Sequence, residues 1–501
     1  MQIQHENKRH FSSRNTAALL LLPLLLLMAA CDEDSDNPIG PVEPQVVVSP
    51  YDTTGQQING KPVIVVKETS AKEGIAIITD GVADNDITWS SDYTYVMQGR
   101  VFVNDGQTLT IEPGTVVRGA ASDDPTNASV LIVARGGKLI ADGTAEEPII
   151  FTAEEDDITS TSDLAGLRGL WGGVIVLGRA PTNNAGDVNI EGIPTTETRG
   201  AFGGNDPADN SGIIRYVSIR HGGTAIGANN EINGLTLGAV GNGTIIDYVE
   251  VFNNEDDGFE WFGGTVDAKH LVAAFVGDDS FDMDHGYSGR GQFFFAIQAQ
   301  EPAGRGGELD GADGNNGAQG EASTPYATPV VYNATYIGSG MTGGTGDEAL
   351  GMFDNFAGSY FNSIFIDFPD KAVFIEDSES EPQDSRARFE EGTLKIENNI
   401  FFGFGAGNTF RDIVLNEGAF GDAVATYLEA NNRLIDPKLG GIAREAAGLD
   451  PVPAADSPAA TGAAIVPSDF YDNVSYIGAF EPGGANWAEG WTFISQAGWL
   501  E

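Results

Sequence analysis

Asp256-Asp257-Gly258-Phe259-Glu260-Trp261 recurs 22 residues later as Asp278-Asp279-Ser280-Phe281-Asp282-Met283. The form returns as Asp347-Glu348-Ala349-Leu350-Gly351-Met352 and, 23 residues on, as Asp370-Lys371-Ala372-Val373-Phe374-Ile375. The shared pattern is Asp, any residue, small, apolar, any, apolar. Alternate residues of a strand face the same way. Phe259/Trp261, Phe281/Met283, Leu350/Met352 and Val373/Ile375 should therefore face a core, with Glu260 and Asp282 pointing outward on adjacent strands. Strands this short need neighbours to be stable. A spacing of 22–23 residues is one coil of a stacked solenoid. The reading is an all-β, right-handed parallel β-helix.

A second column supports it. Asn333-Ala-Thr-Tyr-Ile-Gly338, Asn362-Ser-Ile-Phe-Ile-Asp367 and Asn398-Asn-Ile-Phe-Phe-Gly403 align without gaps. Asparagine at one turn position in successive coils can form a hydrogen-bonded ladder. Asn333, Asn362 and Asn398 are accordingly expected to be structural.

Composition agrees. The chain has 501 residues, more than one compact core usually holds, but a solenoid grows along one axis. Its 66 glycines would not suit a helical bundle. The net charge of −47 opposes binding to nucleic acid and to anionic lipid. It suits cations, or solubility in a salty medium where repulsion is screened. Cys31 is the only cysteine, which forbids an intramolecular disulfide and does not fit a structural zinc site.

The N-terminus reads as an address. Lys8, Arg9 and Arg14 precede an apolar run from Ala17 to Ala30, too short to span a bilayer comfortably. Met28-Ala29-Ala30-Cys31 resembles the bacterial lipobox, which implies lipidation of Cys31 and a stable outer-membrane anchor. Asp32-Glu33-Asp34-Ser35-Asp36 resembles the acidic surface-export tag of outward-displayed lipoproteins. The expected layout is a signal peptide over 1–30 and a tether with several prolines over 31–80. The β-helix follows over 81–435, with insertions near 179–210 and 298–329, and then a capping segment over 436–501. Within that frame, Val63 to Val66 reads as a first strand and Asp422 to Ala430 as a short helix. Trp487, Trp491 and Trp499 are expected to cap the last coil, because an uncapped solenoid exposes its core, with stacking on sugars as the alternative.

Three further stretches carry a family resemblance: Gly169-Leu-Trp-Gly-Gly-Val-Ile-Val-Leu-Gly178, Ile214-Arg-Tyr-Val-Ser-Ile-Arg-His-Gly-Gly223 and Glu255-Asp-Asp-Gly-Phe-Glu-Trp-Phe-Gly-Gly264. With Gly277 to Gly286 and the closing Tyr476 to Trp491, they make the chain similar to a family of β-helix surface lipoproteins of Gram-negative bacteria, with a pectate-lyase-like solenoid fold. That resemblance covers roughly residues 85–501. It implies outward display and, by analogy, a role beside an outer-membrane transporter. It implies no particular activity.

Chemistry is expected at Asp256, Asp257, Glu260, Asp278, Asp279, Asp282 and Asp284, with His285 beside them. Stacked coils bring equivalent carboxylates within about 5 Å. Such groups repel unless a cation neutralises them. Calcium accepts this kind of all-oxygen set. The plainer reading is that these aspartates cap turn backbones. A polysaccharide lyase or glycoside hydrolase on the same scaffold is the enzymatic alternative, with carbohydrate as its ligand. Gly277-Asp278-Asp279 echoes the aspartate pair of polygalacturonase-like hydrolases. His285-Gly286, however, follows only six residues later rather than one coil. A third alternative is a structural or adhesive surface component. The favoured expectation is a non-enzymatic binding protein.

Overall fold

A computed structural model describes residues 46–122, 124–158, 167–184, 186, 188–226, 231–312, 322–378, 383–444, 447–467 and 469–500. The signal segment, Cys31 and the acidic run after it lie outside the described residues.

The repeat defines one sheet of nine parallel strands. In order these are Arg100–Val103, Val130–Val133, Val174–Leu177, Leu235–Gly238, Phe259–Phe262, Phe281–Asp284, Glu308–Asp310, Leu350–Phe353 and Val373–Ile375. Phe259 pairs with Phe281 and Leu350 with Val373, so the spacing of 22 and 23 residues is kept at these steps. Elsewhere the coils are longer, because insertions leave the strand register intact. The apolar residues of the repeat stack inside: Phe259 and Phe281 lie 5.5 Å apart ring to ring, and Trp261 is fully buried. The remaining faces of the solenoid form a 19-stranded sheet, parallel apart from the opening hairpin. This is a parallel β-helix, as the repeat predicts.

One turn column organises the flank of that second sheet. Tyr216, Tyr248, His270, Phe293, Asn333, Asn362 and Asn398 occupy equivalent positions in seven successive coils, each with φ between +48° and +60°. A left-handed conformation is costly for bulky side chains. Stacking offsets it here, with rings 4.4, 4.1 and 5.0 Å apart from Tyr216 to Phe293. Beyond Phe293 asparagines take over. Asn398 Nδ2 donates to Asn362 Oδ1 at 2.6 Å, and Asn333 Oδ1 accepts from Gln292 at 3.2 Å.

The C-terminal segment runs along this column. Asn398, Asn362 and Asn333 donate to the carbonyls of Gly462, Ala464 and Tyr476 at 2.8, 3.0 and 2.9 Å. Trp487 and Trp491 then pack edge-on against His270, Tyr248 and Tyr216. The tryptophans thus cover apolar surface, but on the flank rather than over the last coil. The end of the stack is closed by the helix Gly418–Asn431, whose Phe420, Val424 and Leu428 join the coil core.

Three other expectations change. The tether does not extend to residue 80: Tyr51–Ile58 and Lys61–Lys67 form a hairpin, and the latter strand pairs in parallel with Thr94–Gln98 to start the solenoid. The insertion placed at 298–329 contains the strand Glu308–Asp310, with Leu309 buried in the core between Met283 and Met352. The insertion at 179–210 is a folded lobe. Ile190, Ile193 and Phe202 pack on Phe102, Ile132, Ile175 and Phe262, on the outer face of the nine-stranded sheet. Among the described residues, no helix is long and apolar enough to cross a membrane.

Candidate functional site

The outer face of the nine-stranded sheet changes character along the stack. Phe102, Ile132 and Ile175 give way to Thr236, then Glu260, Asp282 and Glu308 in direct register. Neighbouring strands sit about 4.8 Å apart, so these three carboxylates form a ladder. The turn before each strand adds Asp256 and Asp257, and one coil later Asp278 and Asp279. Asp284 and Asp310 flank the ladder at the far end of their strands.

Glu260 and Asp282 were expected to point outward, and they do leave the core, but Glu260 does not reach open solvent. The 179–210 lobe reaches over it. Asn233 Nδ2 donates to Glu191 Oε1 of the lobe at 3.0 Å and also to Glu260. Glu260 is 7% exposed, Asp257 8% and Asp279 2%.

Asp257 and Asp279 do cap turns, each with one oxygen. Asp257 Oδ1 accepts from the Asp279 backbone N–H at 2.8 Å, and Asp279 Oδ1 accepts from that of Arg305. Capping does not exhaust the cluster. Asp257, Glu260 and Asp282 each offer an oxygen within 4.8 Å of the other two. Asp256, Asp257 and Asp278 do the same, so Asp257 belongs to both groups. Asp282 Oδ1 is buried with no hydrogen-bond partner.

Positive charge is confined to one end. Arg305 pairs with Glu308 at 2.9 Å and Glu348 at 3.4 Å, and lies 3.9 Å from Asp279. His285 Nδ1 lies 2.8 Å from Asp284. No lysine, arginine or histidine among the described residues forms an ion pair with Asp256, Asp257, Glu260 or Asp282. Burial therefore pushes their carboxyls up, and mutual repulsion adds to it: Asp256 rises to about 8, while Asp257, Glu260 and Asp282 rise well above the usual range. Asp279 and Asp310 are raised by the same causes. A cation in the trough would replace these protons.

Sequence reasoning missed Glu191, Asn233, Arg305, Glu308 and Asp310. The last two had a signal, since Glu308-Leu309-Asp310 repeats the alternation of Asp282-Met283-Asp284. Glu191 had none, because it arrives from a distant insertion.

A family model for a pectate-lyase-like β-helix domain matches residues 81–432, well over half of the chain. The chain belongs to that β-helix family. No curated protein matches it. For this member of the pectate-lyase-like β-helix family, the family name fixes the scaffold and leaves the chemistry to the trough.

Proposed function

We propose that the protein is a lipid-anchored, outward-facing outer-membrane protein that binds its ligand without transforming it, and that its acidic trough holds calcium. One observation carries the calcium reading: Asp257, Glu260 and Asp282 converge within 4.8 Å, the first two nearly buried and the third half-buried, with no cationic side chain among the described residues paired to them. The donors are all oxygens, and calcium accepts such irregular, carboxylate-rich sets where magnesium demands a near-ideal octahedron with several waters. His285 faces Asp284, so a nitrogen-rich transition-metal set is not assembled.

The spacing does not suit an inverting hydrolase, which needs its two carboxyls about 6.5–9.5 Å apart, although a retaining one uses about 5–5.5 Å. Against a retaining hydrolase stands the cover: Asp257 and Glu260 are nearly buried, which suits an ion better than a polysaccharide. The anchor rests on Met28-Ala29-Ala30-Cys31, and outward display on the acidic run after it. A neighbouring transporter, or a carbohydrate on the coil flank, rests on the family resemblance alone.

Thermal unfolding of the full chain in chelator, calcium and magnesium tests the calcium reading. A site filled to a hundred times its Kd adds about 2.7 kcal/mol. Calcium should therefore raise the melting temperature by about 2–3 °C and magnesium by much less. An unchanged melting temperature in saturating calcium would leave the aspartates as turn caps only. Labelling with a radioactive fatty acid, lost in Cys31→Ala, tests the anchor.

A further inference from the structure

The 179–210 lobe is seated by apolar contacts that force one carboxylate onto another. Ile190, Ile193 and Phe202 are buried against the outer face of the nine-stranded sheet. Between the two isoleucines the chain turns tightly, closed by Asn189 Nδ2 donating to the Ile193 carbonyl at 2.7 Å. Gly192 in that turn has φ +69°, and a Cβ there would lie 2.5 Å from Ile232 Cγ1 of the coil beneath. Only a glycine lets the turn come so close, and the closeness delivers the neighbouring Glu191 to the edge of the acidic trough.

There the Glu191 carboxyl meets that of Glu260, which also belongs to the group with Asp257 and Asp282. Two carboxylates in contact repel when both are charged, and burial strengthens the repulsion. Asn233 answers only part of it. Its Nδ2 donates to both carboxylates, but an amide carries no charge to cancel theirs. Asn233 stands two residues before Leu235, as Asp257 and Asp279 stand before Phe259 and Phe281, so the three share one turn column. Asp257 and Asp279 each cap a backbone N–H from that position. Asn233 does not. It is 1% exposed, and its Oδ1 accepts no hydrogen bond from the described residues. The column thus gives up a cap at the one place where the lobe's carboxylate arrives, and leaves a buried neutral oxygen beside the trough.

We propose that calcium in the trough latches this lobe to the coils: the ion offsets the charge of Glu260 and so lets Glu191 seat against it. The inference rests on the calcium reading and adds what the ion does to the rest of the molecule. With the ion bound the lobe is closed; with the ion removed, repulsion between Glu191 and Glu260 loosens the Ile190–Ile193 turn. Glu260 is 7% exposed beneath that turn, so loosening also opens the route by which an ion enters.

The test is hydrogen exchange of the full chain at neutral pH in chelator and in saturating calcium, beside a calcium calorimetric titration of the same sample. Amides of residues 188–202 should exchange about ten-fold or more slowly with calcium. Those of the helix Gly418–Asn431, far along the stack, should not change. Glu191→Gln removes one charge and keeps the shape, so in chelator its lobe should exchange as slowly as that of the calcium-bound unaltered protein. If Glu191 only packs, the same substitution leaves exchange unchanged or speeds it, and the latch is overturned. Calcium bound by calorimetry with no change in lobe exchange overturns the latch and leaves the calcium site standing. No calcium bound overturns both. Protection by calcium that persists at full size in Glu191→Gln protein also overturns the latch, because the ion then acts without Glu191.

Discussion

Asp257 accepts the backbone N–H of Asp279, one coil further along, at 2.8 Å, and still presents an oxygen to Glu260 and Asp282 within 4.8 Å. One side chain thus joins two coils and takes part in the candidate ion site. The two roles separate by substitution. Asp257→Asn keeps an acceptor for the cap and removes the charge, so calcium affinity should fall by at least ten-fold while stability in chelator is kept or rises. Asp257→Ala also leaves the Asp279 N–H unsatisfied, at a cost of about 1–3 kcal/mol. Denaturant unfolding in chelator distinguishes the two.

Stability should fall as pH rises when no cation is present. Asp256 is pushed up to about 8 by burial, then by Glu191 and Asp278. A raised carboxyl pKa means that the folded state binds the proton more tightly. Its contribution is complete below the unfolded value near 4 and is lost as pH climbs through about 8. His221 acts at the other end. Burial lowers it to about 4, so its contribution is present above about 6.5 and is lost as pH falls through about 4. Melting temperature against pH in chelator should show both flanks. Saturating calcium should flatten the alkaline one.

Glu250 fastens the C-terminal segment. It is fully buried, accepts from Ser218 Oγ at 2.5 Å, and accepts from the backbone N–H groups of Phe493 at 2.6 Å and Ile494 at 3.3 Å. Burial raises its carboxyl, and the Arg220 guanidinium opposes that rise. Glu250→Ala leaves those donors without their acceptor and the buried Arg220 guanidinium without its nearby counter-charge, at a cost of about 3–5 kcal/mol. Hydrogen exchange should rise first across residues 462–500, before the coils open.

The asparagine column makes a conformational prediction. Asn362 sits at φ +52°, donates to Ala464 O, and accepts from Ala464 N and Asn398 Nδ2. Asn362→Ala loses these bonds and the residue type suited to that conformation. Asn362→Gly loses only the bonds, since glycine tolerates a positive φ. The glycine variant should be the milder by about 1 kcal/mol in denaturant unfolding.

The fold was legible where the coil length held. Phe259/Trp261 and Phe281/Met283 announce their stacking because nothing interrupts the 22-residue spacing between them. Glu308–Asp310 was hidden because Gly-rich sequence lengthens its coil on both sides, although its alternation matches the strand before it. Tyr51–Ile58 carries mostly exposed Thr, Gly and Gln, so no apolar alternation marked it as a strand. The acidic trough could be read from Asp256 to Asp284 because strand pairing alone aligns these residues. Its cover could not: Glu191 meets Glu260 through a lobe whose docking depends on Ile190, Ile193 and Phe202 fitting a face built by five other coils. The flank position of Trp487 and Trp491 was likewise invisible, because the aromatic column beneath them is assembled only after stacking.

The most direct measurement is a calcium titration of the full chain by calorimetry at neutral pH, in two buffers of different ionisation enthalpy. If the raised carboxyls of Asp256, Asp257, Glu260 and Asp282 form the site, calcium binds saturably and displaces protons, so the apparent heat differs between buffers. Both signals disappear in the Asp257→Asn, Asp282→Asn double variant. No saturable heat, or binding and proton release unchanged in that variant, would contradict the account.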